Sequence, residues 1–507
     1  MTTPPIARPA RPQTGDEYIE SLRDGREVWI YGDRVKDVTT HPAFSTPIKS
    51  IARLYDALHD GSIPTVPTDT GSGGYTHPFF KVSRSAEDLL VAREAIAGWA
   101  KLTYGWMGRT PDYKAAFLGT LGANDAYYAP YEENARRWYR ESQEKVLYWN
   151  HAIINPPVDR SRPVDEVSDV FVHVERETDN GLILSGAKVV ATGSAMTQMT
   201  FIANTGAPVR DKRFAIVAAI PTDAPGLKLI ARTSYSQSAK RNGSVFDYPL
   251  TSRFDENDAI LVLDKVLVPW ENVFVYGDVD KFNGFMKHSG FGNRQVMQGA
   301  TRMGVKLDFL SGLLMKSLEL TGTKDFRGVQ TRIGEVLGLR SAVWSLTEAM
   351  VRNPEPWIGD SVNPDPRAVD GYRGLSVDTY ARVREIVLQD LGSALIYLPS
   401  HAKDFDSPEL RPYLDQYVRG SGGIDAEERV KTLKMMWDAV GTEFGGRHEL
   451  YERNYQGSHE VIRLGVFGNH EGRGWNRTLT DFAEHAMTEY DRSGWTVPEL
   501  MGKEEGM

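Results

Sequence analysis

The sequence predicts a mainly helical protein with a β domain in its middle, because the pattern of its 507 residues changes twice. From about 15 to 150, apolar residues recur at helical spacing. Between 170 and 268 they alternate along short segments separated by turn residues, as in a small barrel or sandwich. After about 276 the helical period returns and dominates. At roughly 150 residues per domain, this length favours about three domains.

The clearest helix of the first part follows Ser85, whose hydroxyl is a typical N-cap. Asp88 stands three positions later, where an acidic side chain favours the start of a helix. Apolar residues then recur every three or four positions: Leu89, Ala92, Ile96, Trp99 and Leu102. We therefore predict a helical N-terminal domain over residues 1–147.

Short strands are predicted in the middle of the chain. Val170, Val172 and Val174 alternate with other residues, and the sequence Asp179-Asn180-Gly181 is a strong tight-turn signal. Further apolar segments of strand length follow at 182–184, 188–191, 214–220, 227–230 and 259–268. These segments predict a middle β-barrel domain over residues 148–275.

Four long amphipathic stripes predict a C-terminal helical bundle over residues 276–507. They run through 296–314, 329–350, 377–398 and 430–440, with a Pro/Asp-rich loop between the second and third. Strand and helix do not alternate, and no GxGxxG follows a first strand, so a Rossmann fold is excluded. Helical domain, β domain and four-helix bundle in this order are the layout of the acyl-CoA dehydrogenase fold.

Composition excludes several classes of function. The 59 basic and 68 acidic residues give a net charge of −9, which argues against a nucleic-acid binder. The chain has no cysteine, so disulfides, thiolate nucleophiles, Cys-ligated zinc and iron–sulfur clusters are excluded. No segment reaches the ~18 apolar residues of a membrane span. We expect a cytoplasmic protein.

Three stretches carry candidate chemistry, and the third of them is the segment at 445–455. At the end of the first long helix, Arg109 and Tyr113 stand among aromatic residues and could line a pocket for a planar ligand. The alternative is a structural cap in which Arg109 pairs with Asp112. His151, at the junction with the β domain, is a candidate base, although a histidine beside apolar residues is also typical of a core.

Three His-Glu pairs recur at 448–449, 459–460 and 470–471, and they do not predict a metal site. The paired histidines of an HExxH site lie on one helical turn, whereas these stand eleven residues apart. We predict no metal ligand in this chain.

Several long motifs together resemble the oxygenase component of the 4-hydroxyphenylacetate 3-monooxygenase family. The resemblance extends from about Thr14 to Val497 and also includes members that act as 4-hydroxycinnamate 3-hydroxylases. The motifs are MGRTPDYKAAF at 107–117, NHAI at 150–153, SGAKVVATGSA at 185–195, SRFDENDAILVLDKVLVPWENV at 252–273 and WDAVGTEFGGRHELYERNY at 437–455.

The resemblance implies a two-component, flavin-dependent monooxygenase with an acyl-CoA dehydrogenase-type fold, usually a homotetramer. Members of the family use FAD as FADH2, supplied by a separate NAD(P)H:flavin reductase. They form a C4a-hydroperoxyflavin and hydroxylate para-substituted phenolic acids, of the 4-hydroxyphenylacetate or p-coumarate type, beside the phenolic hydroxyl. The products are catechols.

The same resemblance implies that Arg109, Tyr113 and His151 surround the phenolic oxygen. An electrophilic oxygen donor needs an electron-rich ring, and a phenolate is far more electron-rich than a phenol, whose pKa is near ~10. Arg109 would stabilise the phenolate, His151 would act as a base or hydrogen-bond partner, and Tyr113 would orient the ring.

The resemblance also assigns flavin contacts and a substrate loop. The implied flavin contacts are His151, Ile153, Pro157, Val158, Asp159, Arg160, Thr192, Gln298, Arg302, Asn454 and Tyr455. Gln298 and Arg302 are expected to reach the flavin of a neighbouring subunit. The loop at 204–213, with Gly206 and Ala207, is expected to cover the substrate. Its basic residues could pair a carboxylate or be solvated.

Three alternatives are left open. One is a dehalogenating chlorophenol monooxygenase on the same scaffold, which needs a more compact and less basic lid. The second is an acyl-CoA dehydrogenase proper, but this sequence has no identifiable counterpart of that enzyme's catalytic carboxylate. The third is a non-catalytic, flavin-free scaffold protein, which measurable FADH2 binding would rule out.

Overall fold

The fold was obtained as a computed structural model, which describes residues 9–159, 161–203 and 208–500. The first part of the chain is mainly helical, as predicted. The predicted helix after Ser85 is present, and the Ser85 hydroxyl accepts a hydrogen bond from the backbone N–H of Asp88. The elements are α1 Gly15–Ser21, β1 Glu27–Ile30, β2 Asp33–Arg34, α2 Ser45–Asp56, β3 Val66–Pro67, β4 Tyr75–Thr76, α3 Ala86–Leu102, α4 Pro111–Leu118 and α5 Glu132–Lys145.

The middle part carries the main strands. They are β5 Trp149–Ala152, β6 His173–Thr178, β7 Gly181–Lys188, β8 Met199–Ile202, β9 Ile216–Pro221, β10 Leu227–Ala231, β11 Ala259–Pro269 and β12 Val273–Tyr276, with the helices α6 Tyr235–Asn242 and α7 Thr251–Phe254 between β10 and β11. The turn predicted at 179–181 joins β6 to β7, which pair antiparallel.

The expected barrel takes the form of two sheets. One sheet has the order β2-β1-β10-β11-β7-β6, and the other has the order β12-β9-β8-β5. The first sheet borrows β1 from the N-terminal part, where it pairs parallel to β10. In the second sheet β5 pairs parallel to β8, with His151 opposite Phe201. This register brings the helix-to-β junction against the inner face of the middle part.

The C-terminal part is a helical bundle with a longer tail than the four stripes predict. Its elements are α8 Val279–Asn283, α9 Phe285–His288, α10 Phe291–Thr321, α11 Arg327–Arg352, β13 Glu355–Pro356, β14 Val362–Asn363, α12 Pro366–Leu391, α13 Arg411–Tyr417, α14 Ala426–Val440, α15 Glu443–Asn454, α16 His459–Gly472, α17 Trp475–Met487, β15 Tyr490–Asp491 and β16 Gly494–Trp495. The third helix begins earlier than its predicted stripe because Pro366 at its first position and the Asp365 cap both favour a helix start.

Helix α10 is the central element of the molecule. It packs against α3 and α4 of the N-terminal part and against α11, α12 and α14 of the bundle. A nearly continuous run of its residues from Val296 to Leu307 is buried. Because α4 lies on α10 at the boundary with the middle part, residues of all three parts of the chain meet around α4. No helix in the described ranges is long and apolar enough to cross a membrane.

Candidate active site

Arg109 and Tyr113 are held by the tight connection from α3 to α4. Thr110 adopts an extended conformation before α4, and Pro111 occupies its first turn, where a missing N–H is harmless. All eight residues of α4 are buried. Gly108 lies against the ring of Tyr451, so that even a methyl group at position 108 would collide with it. The backbone N–H of Arg109 donates to Oε1 of Glu256 at 2.7 Å. The loop is therefore fixed on both sides.

The guanidinium of Arg109 lies among three tyrosine rings. Its Cζ is 3.9 Å from the ring centre of Tyr113, 4.4 Å from that of Tyr455 and 5.4 Å from that of Tyr451. Aromatic faces stabilise a cation electrostatically. Among the described residues, neither Nη1 of Arg109 nor the hydroxyl of Tyr113 has a hydrogen-bond partner. A permanent positive charge and two donors without a hydrogen-bond partner thus lie buried within one cluster of aromatic side chains.

The alternative in which Asp112 pairs with Arg109 is not what the structure contains. The buried carboxylate of Asp112 accepts hydrogen bonds from the Thr110 hydroxyl and from Nε2 of Gln298, the latter at 3.4 Å. Burial raises the pKa of Asp112 to about 6. Arg109 packs on aromatics, as that alternative proposed, but its charge remains free for a ligand.

His151 joins this cluster from the β5 strand. Its ring centre lies 5.2 Å from that of Tyr113, at an interplanar angle of 87°. Burial, together with the positive charges of Lys114 and Arg109, lowers the pKa of His151 well below its usual value. The imidazole is therefore neutral at pH 7 and can donate or accept a proton. The structure brings the three predicted catalytic residues together, because the ring of Tyr113 contacts both Arg109 and His151.

Sequence reasoning missed Lys114, which is fully buried beside His151. Its Nζ lies 2.6 Å from Nδ1 of His151 and packs on the rings of Phe201 and Phe291, at 4.1 and 4.5 Å from their centres. Burial, and secondarily the charge of Arg109, lowers the pKa of Lys114 well below its usual value. A signal was present in the sequence, because this lysine directly follows Tyr113 inside an otherwise largely apolar helix.

Two of the predicted flavin residues lie against the same cluster. The Tyr455 hydroxyl is 2.8 Å from Oε1 of Gln298 and 2.9 Å from the carbonyl oxygen of Gly108. Gln298 in turn bonds Asp112. Tyr455 and Gln298 therefore connect the C-terminal bundle to the loop that carries Arg109.

The predicted flavin residues of the middle part lie at its surface and in a charged network. After the buried Ile153, the chain exposes Pro157, Val158 and Asp159 in succession. The Thr192 hydroxyl donates to Asp258 at 2.6 Å. Arg160, Gly206 and Ala207 lie outside the described residues.

Arg302 and Asn454 are not brought to the Arg109 pocket. Both terminal nitrogens of Arg302 donate to the carboxylate of Glu452, at 2.7 and 2.6 Å, and the guanidinium lies behind the ring of Tyr455. Although burial opposes it, Arg302 and Lys306 lower the pKa of Glu452 to about 2. The side-chain amide of the exposed Asn454 donates to the backbone carbonyl of Leu450 in the same helix. Arg302 is thus a buried ion-pair residue within this chain.

A cleft of about 620 Å³ opens beside this region, between the start of α10 and the helices α12 and α16. Its lining includes Val296, Gln456 and the basic residues Lys287, Arg373 and Arg473. The buried Nε2 of Gln456 has no hydrogen-bond partner among the described residues. The cleft is large enough to hold part of a sizeable polar ligand. Within the described ranges, no group of three or more metal-ligating residues is present.

Comparison with known proteins identifies the family. The model of the 4-hydroxyphenylacetate 3-hydroxylase N-terminal domain matches residues 14–275, and that of the C-terminal domain matches residues 282–484. The chain belongs to the 4-hydroxyphenylacetate 3-hydroxylase family. The family predicted from the sequence motifs is therefore confirmed.

Two curated relatives are similar over almost their whole length. The chain is 56% identical to the oxygenase component of 4-nitrophenol 2-monooxygenase from Rhodococcus sp, over 99% of this chain and 96% of the relative. It is 58% identical to a (3S)-3-amino-3-(3-chloro-4-hydroxyphenyl)propanoyl-[peptidyl-carrier protein] monooxygenase from Streptomyces globisporus, over 97% of this chain and 93% of the relative.

Solved structures confirm the fold class. The oxygenase component of a 4-hydroxyphenylacetate 3-monooxygenase, complexed with FAD and 4-hydroxyphenylacetate, superimposes with a TM-score of 0.87 and 31% identity, covering 94% of this chain and 99% of that chain. An archaeal 4-hydroxybutyryl-CoA dehydratase, at 22% identity, shares the fold with a TM-score of 0.84. The predicted acyl-CoA dehydrogenase-like fold, mainly helical with a central β domain, is thus confirmed.

Proposed function

We propose that this chain is the oxygenase component of a two-component, FADH2-dependent monooxygenase that hydroxylates para-substituted phenols beside the hydroxyl group. The observation that carries the proposal is the aromatic cluster of Arg109, Tyr113 and His151, in which Arg109 Nη1 and the Tyr113 hydroxyl have no hydrogen-bond partner among the described residues. Three polar groups that converge from a buried wall suit one small anionic oxygen. The family relatives are phenol monooxygenases by name, which supports the same enzyme class.

The residues around this pocket fit a flavin. A dinucleotide needs apolar contact for its ring system and donors for its polar edge. Val158 is apolar and exposed, and Nε2 of Gln456 is a donor with no partner among the described residues. We propose that the flavin is held by Ile153, Pro157, Val158, Asp159, Thr192, Gln298, Asn454 and Tyr455, with Arg160 from the same loop. When bound, reduced FAD would supply the activated oxygen. Arg302 would act only indirectly, through the ring of Tyr455.

The chain's own residues prepare the substrate. Arg109 would hold the phenolic oxygen as an anion, because its charge is fixed and unpaired in a site of low dielectric. His151, neutral at pH 7, would exchange a hydrogen bond or a proton with that oxygen. Tyr113 would orient the ring by contact and through its free hydroxyl. The surrounding aromatic rings exclude water from the same space.

For the substrate class we propose para-substituted phenolic acids of the 4-hydroxyphenylacetate or p-coumarate type, with Gly206 and Ala207 beside the substrate. The described part of the loop at 204–213 does not favour tight pairing of a carboxylate. Arg210, Lys212 and Arg213 are all exposed, and Arg213 already pairs with Asp211 at 2.7 Å. A neutral para substituent is the second candidate, which the 4-nitrophenol relative favours.

We further propose a separate NAD(P)H:flavin reductase as partner, a cytoplasmic location where NAD(P)H is available, and a homotetramer. The tail supports an oligomer, because it carries large apolar side chains that this chain leaves exposed. They are Val461, Leu464 and Phe467 on α16 and Leu479, Phe482 and Met487 on α17. No residue of α17 is buried against the described chain. Apolar faces of this size are typical of subunit contacts.

A product assay tests the proposed function. The protein is mixed with chemically reduced FAD, oxygen and one member of a panel: 4-hydroxyphenylacetate, p-coumarate, 4-nitrophenol or phenylacetate. We expect a catechol from at least one of the three phenols and none from phenylacetate, which lacks the hydroxyl. Oxidation of the flavin without any hydroxylated product would refute the proposal. The same assay with a flavin reductase and NADH tests the need for a second component.

A further inference from the structure

Two buried lysine–histidine pairs in the described part of the chain differ in one respect. In the C-terminal bundle, Nζ of Lys306 lies 3.1 Å from Nδ1 of His448, and Glu452 balances its charge at 2.7 Å. In the active-site pocket, Nζ of Lys114 lies 2.6 Å from Nδ1 of His151, and no carboxylate contacts it among the described residues. Burial without a counter-ion disfavours the charged form of an amine and makes its neutral form accessible. Lys114 is therefore able to gain and lose a proton.

The surroundings of Lys114 are compatible with both the neutral amine and the ammonium ion. The rings of Phe201 and Phe291 face Nζ at 4.1 and 4.5 Å, and that of Tyr113 at 5.4 Å. Such rings stabilise an ammonium ion by cation–π attraction without fixing its charge as a carboxylate would. The groups that face His151 from α4 and the preceding loop are Lys114, Tyr113 and Arg109, and β8 and α10 contribute the rings of Phe201 and Phe291.

The geometry of the imidazole completes a path from the pocket to the amine. Nδ1 of His151 is occupied by Lys114, and Nε2 forms no hydrogen bond with any described residue. Because the two nitrogens lie on opposite sides of the ring, a proton accepted at Nε2 allows the proton at Nδ1 to leave. His151 is thus a two-sided relay with Lys114 at its inner end.

Building on the proposed phenol hydroxylation, we propose that Lys114 is a positioning residue that acts through His151 and takes up the proton lost by the phenolic substrate. Before the transfer, Lys114 is a neutral amine that accepts a hydrogen bond from Nδ1–H of His151. The phenolic O–H bond breaks and its proton binds Nε2, while the Nδ1 proton moves to Nζ. The products are a phenolate beside Arg109, a neutral imidazole with its proton on Nε2, and an ammonium ion at Lys114.

The relay makes a prediction that a merely structural lysine does not make. Only a weakly acidic phenol needs a proton acceptor, because 4-nitrophenol is far more acidic and already ionises near neutral pH. Lys114→Met should therefore lower hydroxylation of 4-hydroxyphenylacetate by about 10²-fold or more, the usual range for a lost acid–base group. Hydroxylation of 4-nitrophenol at pH 8.5 should fall less than about 5-fold by the same reasoning.

A flavin-free binding experiment tests the proposal independently of turnover. 4-Hydroxyphenylacetate is titrated into the protein, and the near-ultraviolet difference spectrum reports whether it is bound as phenol or phenolate. We expect the phenolate band with the wild-type protein and its loss with Lys114→Met. A phenolate band that persists in Lys114→Met would overturn the relay, as would a wild-type protein that binds only the neutral phenol.

Two further variants separate proton uptake from charge and from folding. Lys114→Arg keeps a positive charge but does not give a neutral amine, so it should resemble Lys114→Met; restored hydroxylation would refute proton uptake. Lys306→Met removes the amine of the other pair. It is the matched control, because it shows how far the loss of a buried lysine alone lowers the thermal midpoint. If Lys114→Met loses hydroxylation of 4-hydroxyphenylacetate and of 4-nitrophenol equally, the relay is refuted. If the wild-type protein hydroxylates neither substrate, the proposed function is refuted. In that case the binding spectrum still tests the relay.

Discussion

Replacement of Arg109 by alanine should separate oxidation of the flavin from hydroxylation of the substrate. The guanidinium contributes the only fixed positive charge among the three predicted catalytic residues, and its Nη1 has no hydrogen-bond partner among the residues that the structure describes. Loss of one preorganised electrostatic contact costs about 2.7–4 kcal/mol in the barrier, or about 10²–10³ in rate. We therefore expect Arg109→Ala to consume reduced FAD and oxygen normally and to release hydrogen peroxide in place of product.

The same substitution should lower the free energy of unfolding by no more than about 3 kcal/mol. Three tyrosine rings contact the guanidinium within 5.4 Å, and each such contact contributes about 0.5–2 kcal/mol. Removal of a buried, unpaired donor returns about 1–3 kcal/mol, which offsets about half of what the three contacts contribute together.

The assay measures catechol and hydrogen peroxide per reduced FAD, together with the thermal midpoint. Arg109→Lys, which keeps the charge but not the planar shape, should give intermediate coupling. Normal hydroxylation by Arg109→Ala in a folded protein would refute the assigned role. A thermal midpoint of Arg109→Ala far below that of the wild-type protein would refute this estimate of the contacts' contribution to stability.

Three further predictions concern stability and assembly. Because the pKa of His151 is lowered in the folded chain, the unfolded chain binds more protons below about pH 6.5, so the free energy of unfolding should fall between pH 7 and 5 in denaturant titrations. Glu452→Gln leaves the buried charge of Arg302 unbalanced and should cost about 3–5 kcal/mol of unfolding free energy, measured the same way; a loss below 1 kcal/mol would contradict the ion-pair role. Phe467→Asp with Phe482→Asp should reduce the mass measured by light scattering from that of the proposed homotetramer to that of fewer chains, and an unchanged mass would exclude this face as a contact.

Patterns within one element were predictable from the sequence because they depend on local chemistry. The helix that begins after Ser85 follows from its cap and apolar spacing, and the turn at 179–181 follows from its residue types. The parallel pairing of β1 with β10 joins segments some 200 residues apart, and no local pattern encodes it. The predicted limits of the three domains stay a prediction. The pairing of β1 with β10 joins strands from the first and second predicted domains.

The candidate site shows the same division. Arg109, Tyr113 and His151 could be predicted because their motifs resemble a known family. Lys114 was missed because a buried lysine without a carboxylate contradicts the usual rules for side-chain burial. Arg109 has no carboxylate partner at Asp112 because Asp112 accepts a hydrogen bond from Gln298 instead. Tertiary packing of α4 on α10 brings Gln298 to Asp112, and no local pattern encodes that contact.

Isotope labelling tests the central claim most directly. The protein is given reduced FAD, 4-hydroxyphenylacetate or 4-nitrophenol, and oxygen enriched in ¹⁸O, and the aromatic product is examined by mass spectrometry. The account predicts one labelled oxygen atom on the carbon next to the original hydroxyl group. An unlabelled catechol, or labelled hydrogen peroxide without an aromatic product from either substrate, would contradict it.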